Sequence, residues 1–247
     1  MENRVRKRWA ARKTWATQSP NIRLKVFKQL EACGARNSED LAELLANPRV
    51  GDEVRTSSAW ALGIIGDKHA LRALDLGLRT RNKGLVWECA LALAKIPGPK
   101  AENVLLSTLK RRGNPESKVA AVAALGNVPS KKTVPSLVKI LGDHKLSPRI
   151  RSEAADSLGK IGSKTVVKQL LDATYDKSAE VRFWAVYALG QTGSDKALDR
   201  LRELVRSDHA KLRHWGSISH EAKDAARQIM LAFRHKARGR TRSATTT

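Results

Sequence analysis

Val54-Arg-Thr-Ser-Ser-Ala-Trp-Ala-Leu-Gly-Ile-Ile-Gly66 decides the fold, because the same pattern returns twice further along the chain. It recurs as Ile150-Arg-Ser-Glu-Ala-Ala-Asp-Ser-Leu-Gly-Lys-Ile-Gly162 and as Val181-Arg-Phe-Trp-Ala-Val-Tyr-Ala-Leu-Gly-Gln-Thr-Gly193. Weaker copies fill the gaps. Counted on the leucine of the Ala-Leu-Gly element, the series runs Leu30, Leu62, Leu93, Leu125, Leu158 and Leu189, with steps of 32, 31, 32, 33 and 31 residues. A steady period of this length is the mark of a repeat architecture.

Each copy carries the physics of a helical hairpin. Val54, Ala59, Leu62 and Ile65 fall at near-helical spacing, and the small Ala59 and Ala61 allow a neighbouring helix to come close. Gly66, Gly162 and Gly193 then stand where a helix ends in the left-handed conformation. Asp67, Ser163 and Ser194 follow as N-cap candidates for a second helix. Second helices are expected from Ala70 to Leu76, Val134 to Leu141, Val166 to Leu171 and Ala197 to Val205. One hairpin cannot cover its own apolar face, so the copies must stack into a shared core.

The pattern Val-Arg-x-x-Ala-Ala-x-Ala-Leu-Gly-x-Ile-Gly resembles the HEAT-like repeats of the phycobilisome-lyase type over roughly residues 22–208. That resemblance implies an all-α, right-handed α-solenoid of about six hairpins, with first helices on the convex side and second helices lining a concave groove. Past Leu212 the register slips, and residues 219–233 look like a last, displaced repeat that caps the stack. The expected organisation is a basic arm over 1–19, the repeats over 20–233, and a basic, disordered tail over 234–247.

Composition agrees with tightly packed helices. Of 247 residues, 41% are apolar but only 4% aromatic, which disfavours a β-sandwich. Cys33 and Cys89 are too few and too isolated for a disulfide framework or a zinc site, so a reducing, cytoplasmic setting is expected. No stretch is long and apolar enough for a membrane span, and no membrane partner is expected. The arginine-rich, acid-poor first residues also read as an organellar transit segment, although a binding arm explains them equally well.

Charge is the loudest functional signal. The chain carries 47 Lys and Arg against 24 Asp and Glu, a formal net charge of +23. Arm and tail each hold a net +5, which leaves +13 on the body. Such a surplus calls for an anionic partner.

The bases fall into three sets. A ladder of Arg23, Arg55, Lys118, Arg151, Arg182 and Arg213 follows the opening apolar residue of most copies, with Val86 breaking it. In the resembled family this base is structural, pairing with acids or carbonyls between repeats, and Asp52, Glu53 and Glu180 are at hand. A second set sits at second-helix ends and inter-repeat turns: Arg79, Arg81 and Lys83, then Lys110, Arg111 and Arg112, then Lys145 and Arg149, then Arg206 and Lys211. Helix-dipole compensation explains one or two bases per turn, whereas clusters of three suggest an anion-binding edge. A third set lies on the second helices, with Lys131, Lys132, Lys139, Lys164, Lys168, Lys196 and Arg200 joined by Arg72 and Lys100. The first repeat differs, bearing Glu39, Asp40 and Glu43.

The second and third sets, with the basic ends, lead to the expectation of a non-enzymatic scaffold that holds DNA or RNA with little sequence selectivity, alone or inside a larger assembly. Two alternatives stand beside it: an adaptor for an acidic protein, and an enzyme of the lyase or DNA-glycosylase kind. No cofactor or metal is expected. HEAT-like deoxyhypusine hydroxylases bind two irons through repeated His-Glu pairs, but His220-Glu221 is the one such pair here. Trp60, Trp87 and Trp184 sit inside first-helix motifs, where core packing is the expected role.

Overall fold

The computed structural model describes residues 37–128, 130 and 132–243 together with Lys28, with side chains as far as Arg234. Leu30, Cys33, Arg23, Lys131 and the expected N-terminal arm lie outside the described residues, as do the side chains of the last basic residues. The described helices fall into two compact units, Met1–Val128 and Pro129–Thr247.

In the first unit the helices are α1 (Ser38–Ala46), α2 (Asp52–Ile65), α3 (Leu71–Gly77), α4 (Lys83–Lys95), α5 (Pro99–Lys110) and α6 (Pro115–Leu125). They form two layers. First helices α2, α4 and α6 pack in a row, while α1, α3 and α5 lie alongside and fill the spaces between them. The second unit repeats the scheme with α7 (Thr133–Gly142), α8 (Pro148–Ile161), α9 (Val167–Ala173), α10 (Ala179–Thr192), α11 (Leu198–Ser207) and α12 (Ile218–Ser243). There α8, α10 and α12 make the first-helix row, with α7, α9 and α11 as the second layer. The anchor leucines Leu62, Leu93, Leu125, Leu158 and Leu189 are all fully buried, which is why the period survives in the sequence.

Helix ends match the sequence reading closely. Gly66, Gly162 and Gly193 close α2, α8 and α10 at φ of 73°, 67° and 62°. Asp67 and Ser163 accept hydrogen bonds from the backbone N–H of His69 and Thr165, and a short 3-10 turn then leads into the second helix. Ser194 holds the same position without a side-chain cap bond.

A different glycine sets the spacing of the first-helix rows. Gly63 lies so close to α4 that a Cβ there would stand 2.7 Å from Ala92 Cα. Gly159 meets Ala188 Cα at 2.8 Å, and Gly190 meets Ala225 at 3.0 Å. Interior helical glycine costs about 1 kcal/mol against alanine, so its return at one repeat position means that close approach outweighs propensity. Because Ala225 takes the place that Ala188 takes one step earlier, α12 is the next first helix of the row.

The register slip at 211–217 has a structural cause. Lys211–Leu212 (β1) and Gly216–Ser217 (β2) pair as a minimal antiparallel ribbon, the one non-helical element among the described residues. Its turn carries Trp215 onto α10, with ring centroids 5.0 Å from Trp184 and 6.5 Å from Phe183. Trp60 and Trp184 are buried, and Trp87 donates from Nε1 to Glu116 Oε1 at 2.5 Å, so the three first-helix tryptophans do packing work.

Candidate functional site

The ladder arginines turn inward. Arg55 donates from Nε to Leu45 O at 2.9 Å and reaches Asp52 at 3.3 Å. Arg151 donates to both oxygens of Asp176, at 2.9 and 3.0 Å, and to Leu146 O at 2.6 Å. Arg182 forks onto Asp208 at 2.7 and 3.3 Å and also reaches the carbonyls of Asp176 and Lys177. Their structural role is thus as expected, but the acids differ in part: Asp52, Asp176 and Asp208 serve, while Glu53 is exposed and Glu180 accepts from Ser152. Burial alone would raise the carboxyl of Asp208, yet the Arg182 hydrogen bonds and the Ala210 amide outweigh it and hold that carboxyl below its ordinary range.

The turns of the first unit are built differently. Asn82 and Asn114 cap α4 and α6, and their side-chain amides reach back to Asp52 Oδ2 (2.7 Å) and Thr80 O (2.9 Å). Ser117 donates to Leu78 O. These amide and hydroxyl staples close the repeats without consuming a cation. Arg79 and Arg111, 32 residues apart, share a single acid, with Asp75 at 2.7 Å from one and 2.6 Å from the other.

Beside that clamp opens a cleft of about 390 Å³, lined by Arg79, Arg111, Arg112 and Lys118 with Thr108 and Asn114. No acid lines it. The acids carried by α3, α5 and α6 are Asp75, held in the clamp, Glu116, bonded to Trp87, and Glu102, buried near the start of α5. Arg111 Nη1 is buried and has no hydrogen-bond acceptor. Among the described residues, no hydrogen bond or ion pair engages the side chains of Arg81, Lys83, Lys110, Arg112 or Lys118.

The remaining candidates are dispersed. Arg81, Lys83 and Lys110 are exposed near the cleft without lining it. In the second unit Lys132, Lys139, Lys145, Arg149, Lys164, Lys168, Lys196, Arg206 and Lys211 are exposed. Arg200 is engaged internally, bonded to Thr174 Oγ1 at 2.9 Å and Glu203 at 2.7 Å, with its guanidinium 3.6 Å over the Tyr175 ring. Sequence reasoning assigned Lys118 to the structural ladder and passed over Asn114 and Asp75. The signal was present, since Lys replaces Arg at that one rung and the 111–114 turn holds no acid.

The described residues do not suit a di-iron centre. No three His, Cys, Asp or Glu side chains converge among them, and the single His-Glu pair is split, with His220 exposed beside Asp224 and Glu221 buried. Burial, helped by the charge of Asp224, pushes the carboxyl of Glu221 up to about 7. Cys89 is a fully buried core thiol whose ionisation is disfavoured by burial. No described helix is long and apolar enough to cross a membrane.

Comparison with known proteins adds a family and several enzymes. HEAT repeats match residues 102–178 and 144–219, and the PBS lyase HEAT-like repeat matches 54–79. A deoxyhypusine hydroxylase of Arabidopsis thaliana is 33% identical over 99 residues, covering 39% of this chain; the chain spans 31% of that relative's length. Among solved structures, human deoxyhypusine hydroxylase has 21% identity and a TM-score of 0.42, over 78% of this chain and 73% of that one. The complex of CpcE and CpcF of phycocyanin lyase from Nostoc sp. PCC7120 has 17% identity and a TM-score of 0.41, over 86% and 91%. The curated relative is an enzyme. The expectation of a non-enzymatic nucleic-acid scaffold is therefore corrected. Of the bases expected to contact nucleic acid, Arg200 is occupied inside the protein.

Proposed function

The chain belongs to the HEAT-repeat family, and from that premise we propose that it is the protein-recognition module of a cytoplasmic enzyme assembly, docking an acidic segment of a partner protein on the turns of its first unit. Stacked helical repeats create extended surfaces suited to protein segments. One observation carries the reading: Arg81, Lys83, Lys110, Arg112 and Lys118 stand on or beside the turns that flank the Arg79–Asp75–Arg111 clamp, and no hydrogen bond or ion pair engages their side chains among the described residues. Like charges held together repel, and a complementary acidic surface relieves that repulsion while steering encounter. The similar enzyme sets the context for this reading.

The test is fluorescence anisotropy of the full chain with a labelled alternating Glu-Ala peptide and its Gln-Ala counterpart at two salt concentrations. Selective binding of the Glu-Ala peptide, weakening with salt, is expected. Equal binding of both peptides, or of neither, overturns the reading.

A further inference from the structure

The unanswered charge narrows to one place within the first unit. The cleft is formed where the segment after α3 meets the end of α5 and the start of α6, so two successive repeats contribute to its wall. Its cations arrive by independent routes. Arg79 and Arg111 are fixed by Asp75, Arg112 by the turn before Gly113, and Lys118 by the first turns of α6. Gly113 takes a φ of 133°, a conformation that lets the chain pass from Arg112 into the Asn114 cap within one residue.

Arg111 is the most telling member. Its Nη2 already grips a carboxylate, at 2.6 Å from Asp75, and Nη2 also donates to Ser107 Oγ at 3.1 Å. Its Nη1 is shielded from water and makes no hydrogen bond. A buried guanidinium nitrogen left without an acceptor costs about as much as a lost charged hydrogen bond, and an anion toward which the Arg111 side chain turns removes that cost. The volume, about 390 Å³, lies at the small end of the range for ligand sites and takes a side chain, not a helix.

We propose that this cleft is a carboxylate-binding subsite, in which Arg111, Arg112 and Lys118 receive the side-chain carboxylate of a Glu or Asp in an extended acidic protein segment. The proposal rests on the acidic-partner reading above and gives it an anchor point. Arg112 and Lys118 supply charge from the cleft's lining, Arg111 adds its Nη1 once its side chain turns toward the cleft, and Asp75 pairs with both Arg79 and Arg111. A carboxylate fits because the same guanidinium already lies 2.6 Å from the carboxylate of Asp75.

The experiment titrates the full, isotope-labelled chain with N-acetylglutamate α-amide, N-acetylglutamine α-amide and inorganic phosphate, read by amide NMR. Saturable shifts at Gly113, Asn114 and Ser117 with the glutamate derivative alone are expected. Absence of saturation, or tighter binding of phosphate at those amides, overturns the subsite. In parallel, Arg112→Gln and Lys118→Gln are expected to weaken the Glu-Ala peptide about tenfold each, equal to about 1.4 kcal/mol, whereas Arg72→Gln, exposed on α3 outside the cleft, leaves it unchanged. Neither cleft variant removes an observed ion pair, so a folding failure is not the expected confounder, and thermal melts check it. Peptide binding untouched by both variants overturns the subsite and leaves the acidic-partner reading standing. Glutamate-derivative saturation without peptide binding does the reverse.

Discussion

The two units stack their helices alike but treat their arginines differently. In the second, each inter-repeat turn places an aspartate against a ladder arginine, Asp176 for Arg151 and Asp208 for Arg182. In the first, the turns are stapled by Asn82, Asn114 and Ser117, and cations accumulate beside them. The same architectural problem has two solutions. One holds repeats together with buried arginine–aspartate pairs, and the other mainly with amide and hydroxyl staples beside a single Asp75 clamp, leaving other bases available for a partner.

The largest expected effect comes from breaking the charged solution. Asp176→Ala strands Arg151, whose side chain is only 6% exposed, and should cost about 3–5 kcal/mol in urea unfolding, since an unpaired buried charge is left behind. Arg112→Gln should cost less than about 0.5 kcal/mol, as a surface change that removes no contact. If both variants cost the same, the contrast between the units is wrong.

In the second unit stability should fall as pH rises toward neutrality. Glu221 has a carboxyl raised from 4.5 to about 7, so its protonated form is favoured in the folded state. Its contribution to stability is therefore fully present below about pH 4.5 and is lost as pH rises through 7. Glu221→Gln should match the wild type at low pH and exceed it by on the order of 3 kcal/mol above pH 8, given about 1.4 kcal/mol for each tenfold change in proton affinity. Asp208 has the opposite sign. Its lowered carboxyl contributes stability above the ordinary carboxylate range that disappears as pH falls, and Asp208→Asn should flatten that loss in acid titrations followed by circular dichroism.

Row packing should not distinguish the units. Gly63→Ala and Gly159→Ala each force a Cβ to within 2.7 or 2.8 Å of a backbone carbon, and each should cost about 1–3 kcal/mol despite alanine's better helix propensity. Gly142→Ala, with nothing within 4 Å, should be neutral or slightly stabilising. Unequal costs at Gly63 and Gly159 would show that the backbone rows differ as well as the charges.

Much of the fold was readable because repetition multiplies weak signals. A glycine after an apolar helix is a modest hint once, but Gly66, Gly162 and Gly193 at the same position of three copies identify the helix end, and all three adopt positive φ. The interior Gly63, Gly159 and Gly190 were quoted in the motif without their meaning, since close approach depends on the facing alanine of the next repeat. Ion pairing was less legible. Arg151 and Arg182 meet acids 25 and 26 residues ahead, so local neighbours such as Glu53 and Glu180 were the natural but mistaken partners. At the candidate site, one repeat period brings Arg79 and Arg111 together, as clustering suggested. Which bases line a cleft and which simply meet solvent is decided by side-chain direction, which the period does not carry.

The most direct measurement compares two triple variants in peptide anisotropy: Lys110→Gln, Arg112→Gln and Lys118→Gln in the first unit, and Lys164→Gln, Lys168→Gln and Lys196→Gln in the second. Both remove the same formal charge from exposed or cleft positions. Affinity for the Glu-Ala peptide is expected to fall at least tenfold in the first triple and to stay within a factor of two or so, as rim charges do, in the second. Equal losses would mean that net charge alone attracts the peptide and that the turns of the first unit are not a docking edge.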